Sequence, residues 1–168
     1  MNKSYFENLA EDENGKLTIN SENVSTNIGA KSPSVIYKLR LNYKESEIII
    51  NCKTGTSFVG NINCKLSKNI KATPFEINTI SQLKSLFYRK NNRFKIITKK
   101  EYFYNFLINN EPLKFLNQVA IKENFTTIII CETKKIDCEF HLEFKNSTQV
   151  IEPFIKFLKS LIDEFSKS

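Results

Sequence analysis

Ile136-Asp137-Cys138-Glu139-Phe140-His141-Leu142-Glu143-Phe144-Lys145 alternates apolar and polar residues without a break, the clearest period of two in the chain. Successive side chains on a strand point to opposite faces, so this stretch predicts a strand with one face buried and the other in water. Just upstream, residues 125–132 read as a second, more deeply buried strand, and the short polar step between the two closes a hairpin. A turn centred on Lys134-Lys135 sets residue 133 opposite 136 and Cys131 opposite Cys138, a separation at which a disulfide is geometrically allowed. Cys131 and Cys138 are therefore a candidate redox pair. The alternative is two small apolar side chains packed across the hairpin.

Towards the C-terminus, Ile151, Phe154, Ile155, Leu158, Leu161, Ile162 and Phe165 share one helical face, with Lys156, Lys159, Ser160, Asp163 and Glu164 mostly opposite. This amphipathic helix starts near Glu152, because Pro153 is tolerated only in a first turn. Its apolar face is expected to close a core over a sheet. Towards the N-terminus, Asn110-Glu111-Pro112 is a helix start leading into Leu113, Leu116, Val119 and Ala120. Two further strand-then-helix units precede it. Residues 75–77 lead into a capping box of Thr79 and Gln82, with a helix to about Tyr88; residues 94–96 lead into a box of Thr98 and Glu101, with Phe103, Phe106 and Leu107 as the apolar stripe. Further upstream, residues 34–43, 47–52 and 58–66 read as the three strands of a meander.

Strands and helices thus segregate, without strict β-α-β alternation, and the fold class is α+β. The expected architecture is an antiparallel sheet, N-terminal meander plus C-terminal hairpin, covered by the C-terminal helix and two or three shorter helices. Residues 1–33 show neither period. They are expected to form a mobile acidic and polar arm, leaving residues 34–168 as a single α+β domain. The arm holds five acidic residues against three lysines, so the body is more basic than the whole chain.

The 168 residues carry a formal charge of +7 and a pI near 9.2, which keeps nucleic acid among the candidate partners. No stretch approaches the ~20 consecutive apolar residues of a membrane span, and the N-terminus lacks the apolar core of a secretory signal. A cytoplasmic protein with no membrane association is expected. The spacing of Cys52, Cys64, Cys131 and Cys138 resembles no paired metal motif.

Catalytic patterns are missing. His141 is the single histidine, on the charged side of its strand with Asp137, Glu139 and Glu143, and alternation alone places charges there. With four glycines and no Lys-Ser or Lys-Thr at the right spacing, there is no phosphate loop. No cofactor, no metal and no catalytic residue is assigned.

The densest basic and aromatic segment is 88–104. Here Arg89, Lys90, Arg93, Lys95, Lys99 and Lys100 would contact phosphates, and Tyr88 or Tyr102 would stack on bases. The acidic arm would fold back over this segment and compete with an external polyanion.

The leading expectation is a small cytoplasmic, non-enzymatic interaction module for an unidentified protein partner, presenting an apolar patch or edge strand near residues 34–43. The alternative is nucleic-acid or other polyanion binding through segment 88–104. A hydrolase or transferase whose carboxylates assemble only in three dimensions is the third class.

Overall fold

The computed structural model describes residues 2–25, 31–54, 58–81, 92–142 and 147–167. Its elements are, in order, α1 (Asn2–Asp12), β1 (Lys16–Ser25), β2 (Lys31–Tyr43), β3 (Ser46–Thr54), β4 (Phe58–Lys65), β5 (Phe75–Thr79), β6 (Phe94–Thr98), α2 (Glu101–Asn109), α3 (Glu111–Lys122), β7 (Phe125–Cys131), β8 (Lys135–Leu142), a 3-10 turn (Ser147–Val150) and α4 (Ile151–Phe165). The eight strands make one sheet in the order β1-β2-β3-β4-β8-β7-β5-β6, with every neighbouring pair antiparallel. The α+β class and the covering C-terminal helix agree with the sequence reading. No described helix is long and apolar enough to cross a membrane.

Alternation decides which face is covered. On β4 the even positions Phe58, Gly60, Ile62 and Cys64 are buried and the odd ones exposed; on β7 and β8 the same rhythm buries Phe125, Thr127, Ile129 and Cys131, and Ile136, Cys138, Phe140 and Leu142. The register joins these positions across strands, so all the buried side chains stand on one side. Helix α4 lies over that side and buries eight of its residues there, Phe154 stacking on Phe140 at 5.1 Å between centroids. Phe103 of α2 stacks on Phe165 of α4 at 5.4 Å, and Phe75 of β5 meets both Phe103 and Phe157. Only Gly fits at position 60: a Cβ there would come within 2.2 Å of the Phe140 ring.

The N-terminal arm is a correction. Residues 2–25 are built into the fold: Phe6 and Leu9 are buried, the Phe6 ring stacks on Tyr37 at 4.4 Å, and β1 pairs with β2 along its whole length. Helix α1 buries a stripe of only Tyr5, Phe6, Leu9 and Ala10, and β1 contributes Leu17 and Ile19, too few apolar positions to register as periodic. The idea that this segment covers 88–104 fails too, because β1 and β6 are the two opposite edges of the sheet.

Two capping assignments separate in the same way. Asn110 does cap α3, its side-chain carbonyl accepting from the Leu113 N–H at 3.2 Å. Thr98 does not cap α2: the N-cap is Lys100, and the Thr98 hydroxyl donates to the Pro74 carbonyl at the end of β6. The helix expected from Thr79 to about Tyr88 lies outside the described residues. The Thr79 hydroxyl accepts from the Thr127 N–H at 2.8 Å and donates to the Thr127 carbonyl at 3.1 Å, tying β5 to β7.

Candidate functional site

The described helices leave the second face of the sheet uncovered, and register orders that face into rows. One row runs Thr18, Lys38, Asn51, Asn61, Glu139, Ile128, Asn78, Lys95, one residue from each strand in spatial order. The next runs Lys16, Arg40, Ile49, Asn63, Asp137, Ile130, Glu76, Ile97. A third carries Asn20, Ile36, Lys53, Val59, His141 and Thr126, and a fourth Asn42, Glu47, Lys65 and Lys135. Four branched aliphatic side chains stand in solvent here: Val59 (45%), Ile97 (45%), Ile128 (46%) and Ile130 (42%). Between them lies an amide lattice, with Asn51 donating to Asn61 at 2.9 Å and Asn63 to Asp137 at 2.7 Å. A broad groove of about 600 Å³ runs along the face, lined by Ile36, Val59, Asn61, Ile128, Glu139 and His141 among others.

Among the described residues no Phe or Tyr on a strand points to this face: each occupies a buried-side position, from Tyr37 to Phe140, and the His141 imidazole is the one ring on the open side. Among the described residues this face therefore offers bases or sugar rings no Phe or Tyr to stack on. His141 is half-buried between Val59 and Thr126, and Asp137 is held by Lys135 at 2.5 Å and by Asn63. Glu143 lies outside the described residues. Among the described residues no group of three or more His, Cys, Asp or Glu is placed to hold a metal ion.

The residues expected to bind polyanions come apart. Tyr88, Arg89 and Lys90 lie outside the described residues. Arg93 is withdrawn from the surface, 5% exposed, its Nε donating to the Ile80 carbonyl at 2.8 Å and its Nη1 to the Ala120 carbonyl at 3.0 Å. Ala120 sits in the last turn of α3, where carbonyls lack helical partners and a cation is favoured, so Arg93 fastens the end of that helix to the sheet. Lys95 is exposed on the open face at the β6 edge, and Lys99 and Lys100 are exposed beyond its end. Tyr102 is 53% exposed, with its hydroxyl 3.3 Å from Thr73 Oγ1 and the Lys100 ammonium 5.6 Å from its ring centre.

Three lysines that no contiguous reading would join stand at the same end of the sheet. The 66–74 loop passes beneath the β7–β8 turn, where the Leu66 and Ala72 N–H groups donate to the Lys134 and Thr133 carbonyls, and it reaches the end of β6 through Pro74. Lys68 and Lys71 on this loop and Lys134 on the turn are thereby brought to the side of Lys99 and Lys100.

The cysteine pair is also corrected. The Glu132 N–H donates to the Lys135 carbonyl at 2.9 Å, so the two-residue turn is Thr133-Lys134, and Cys131 faces Ile136 while Cys138 faces Ile129. The turn sits one position earlier because its carbonyls accept from the 66–72 loop and the Lys134 ammonium donates to the Lys68 and Ile70 carbonyls. Diagonal neighbours stand roughly 7–8 Å apart, beyond the reach of a disulfide. All four cysteines are free and buried. Burial pushes the Cys64 and Cys131 thiols up to about 12 and Cys52 and Cys138 well above their ordinary value, so all four stay protonated at neutral pH.

The expected edge near residues 34–43 is not an edge: β2 is paired on both sides, and the free edges are β1 and β6. No protein-family model matches the chain, and no curated protein sequence matches it.

Proposed function

We propose that the chain is a small non-enzymatic interaction module of the cytoplasm that engages a protein partner through the open face of its sheet. The observation that carries this is the set of four half-exposed branched side chains on a face with a groove and, among the described residues, no covering element. A sheet normally hides such residues against another layer, and apolar groups on a bare face gain free energy when a partner removes them from water. The amides of Asn51, Asn61 and Asn63 supply hydrogen bonds between them, the mixture of apolar and polar contacts usual at protein interfaces. Four unpaired, buried thiols are in keeping with a reducing compartment. The test is a photo-crosslinking amino acid placed at Val59 or Ile128, with Ile121 on α3 as the control position. Protein adducts from the first two and not from the third support the reading. Their absence from the open face disposes of it.

A second reading is favoured by the lysines gathered at one end of the sheet: nucleic-acid binding through Lys68, Lys71, Lys99, Lys100 and Lys134, with Tyr102 as the stacking ring. It replaces the contiguous segment 88–104 with a site assembled from two loops and a strand end. Binding of labelled single-stranded RNA and duplex DNA across a salt series tests it. Affinity that falls steeply with salt and is lost when Lys71, Lys99 and Lys100 become alanine supports it. No binding at low salt ends it.

A further inference from the structure

The charges on the open face are not scattered. Along the sheet, β2 presents the cations Lys38 and Arg40, and β8, three strands away, presents the anions Glu139 and Asp137 in the same two rows. In the fourth row the signs are exchanged on the intervening strands, with Glu47 on β3 and Lys65 on β4. From this pattern we infer that the partner of the open face is a second copy of this chain, packed sheet against sheet about a twofold axis that runs along the strands between β3 and β4. The inference rests on the open-face reading above and names its occupant.

Such an axis lays β3 over β4, β2 over β8 and β1 over β7, and it preserves the rows. Lys38 then meets Glu139 of the other copy, Arg40 meets Asp137, and Glu47 meets Lys65, each pair occurring twice. No like charges are directly opposed in the four rows. Thr18 and Lys16 of β1 come over Ile128 and Ile130, the lysine stem covering apolar surface while its ammonium reaches the rim. Asn51 comes over Asn61, amide on amide. Moving the axis by one strand, to lie between β4 and β8, stacks Lys65 on Lys135. Centring it on β4 or on β3 opposes Lys65 to itself or Glu47 to itself. The arrangement is thus selected by charge, and isologous contact of this kind is the usual route to a dimer.

Dimensions agree with this. Packed sheets lie ~10 Å apart, a gap that two opposed long side chains fill, and their strands cross at about 30°, which leaves the central rows in register. Six strands at ~4.8 Å and four rows at ~6.8 Å cover ~780 Å² of each copy, against ~800 Å² per partner in a specific interface of ordinary size. β5 and β6 project beyond the overlap, so Lys95 remains in solvent.

Sedimentation equilibrium on the full chain, from about 1 μM to about 100 μM, tests the inference, since interfaces of this area have dissociation constants of about 1 μM or tighter. The expected result is a monomer–dimer equilibrium in which K38E raises the dissociation constant at least about 10-fold, because each dimer contains the contact twice. K38E/E139K restores it and K95E leaves it unchanged. Lys38, Glu139 and Lys95 are all exposed, and thermal melts of each variant confirm folding. A monomer throughout, or a dimer indifferent to K38E or not restored by the double exchange, overturns self-pairing. A monomer in which Val59 crosslinks to a different protein overturns self-pairing and leaves the open-face module standing. A monomer with no open-face crosslink overturns both.

Discussion

The two faces of the sheet are written in alternate positions of the same eight strands, and they obey different rules. On the covered face nearly every position is aliphatic or aromatic and the rings interlock: Phe125, Phe140 and Phe154 form one group, and Phe75, Phe103, Phe157 and Phe165 another. On the open face the described positions are amides, hydroxyls, charges, a few branched aliphatics and the His141 imidazole, with no Phe or Tyr among them. Removing apolar area from water and filling space explains the first face. The second is not needed for the core, so its row pattern is the part of the molecule free to specify a partner.

Truncation should break this symmetry of backbone most sharply. Phe154→Ala deletes a ring with no exposure that touches both Phe125 and Phe140, and it is expected to cost about 3–5 kcal/mol in urea unfolding, a large fraction of the stability of a domain this size. Ile128→Thr, one strand from Phe140's strand but pointing outward, should change stability by less than about 0.5 kcal/mol. Comparable losses at both positions would show that the open face is structural after all.

A second contrast separates two cations two residues apart. Arg93→Met strands the buried Ala120 carbonyl and the half-buried Ile80 carbonyl; a buried acceptor left unpaired costs about 1–3 kcal/mol and a half-buried one less, so a loss of about 2–3 kcal/mol is expected. Lys95→Met, on the open face, should leave the unfolding midpoint where it was. The reverse result would place Arg93 on the surface. Between these and the surface variants falls Gly60→Ala, expected to cost about 1–2 kcal/mol in the same assay because the new methyl must displace the Phe140 ring. A neutral outcome would mean that the ring has room to turn.

These contrasts also mark what the sequence could reveal. The covered face was readable wherever alternation ran for four residues or more, as in β4, β7, β8 and the stripe of α4, because burial of one face imposes a period that survives in the residues. Helix α1 and strand β1 were not readable: each buries two to four apolar side chains, and β1 is held mainly by backbone hydrogen bonds to β2, which leave no side-chain signature. Arg93 looked like a surface cation for a related reason, since the carbonyls that draw it inward are backbone atoms of Ile80 and Ala120. The site was hardest of all. The placing of Lys38 and Glu139 in one row and of Lys71 and Lys100 at one end of the sheet depends on strand order, and β8 is inserted beside β4 while β5 and β6 go to the far edge. Chain order gives no hint of that rearrangement, because the exposed residues that depend on it carry no packing constraint.

The smallest effect concerns how the covered face is fastened at its rim. The β2–β3 turn places Lys44 and Glu45 at positive φ, 46° and 59°, a conformation that costs residues with a Cβ. It is held by contacts to its neighbours: Lys44 lies 2.6 Å from Asp163 of α4, the Tyr43 hydroxyl donates to the same carboxylate at 3.1 Å, and Glu45 accepts from Ser67. Partial burial works to raise the Asp163 pKa, but the hydrogen bonds from Lys44 and Tyr43 outweigh it and the net shift is downward. The hydrogen bond to Asp163 in turn pushes Lys44 upward. A carboxylate lowered in the folded state stabilises above its unfolded pKa and loses that contribution as pH falls through the folded one; a raised ammonium stabilises below its unfolded pKa and loses it as pH rises through the folded one. Urea midpoints of the wild type and Asp163→Asn should therefore differ slightly across the neutral range and converge in acid below the ordinary carboxylate range. They should converge again in alkali above the ordinary ammonium range. Added salt should shrink the gap, as for any exposed pair. A gap that persists undiminished into acid would mean that Asp163 acts by shape and not by charge, and that the turn is strained without an ionic tie to α4.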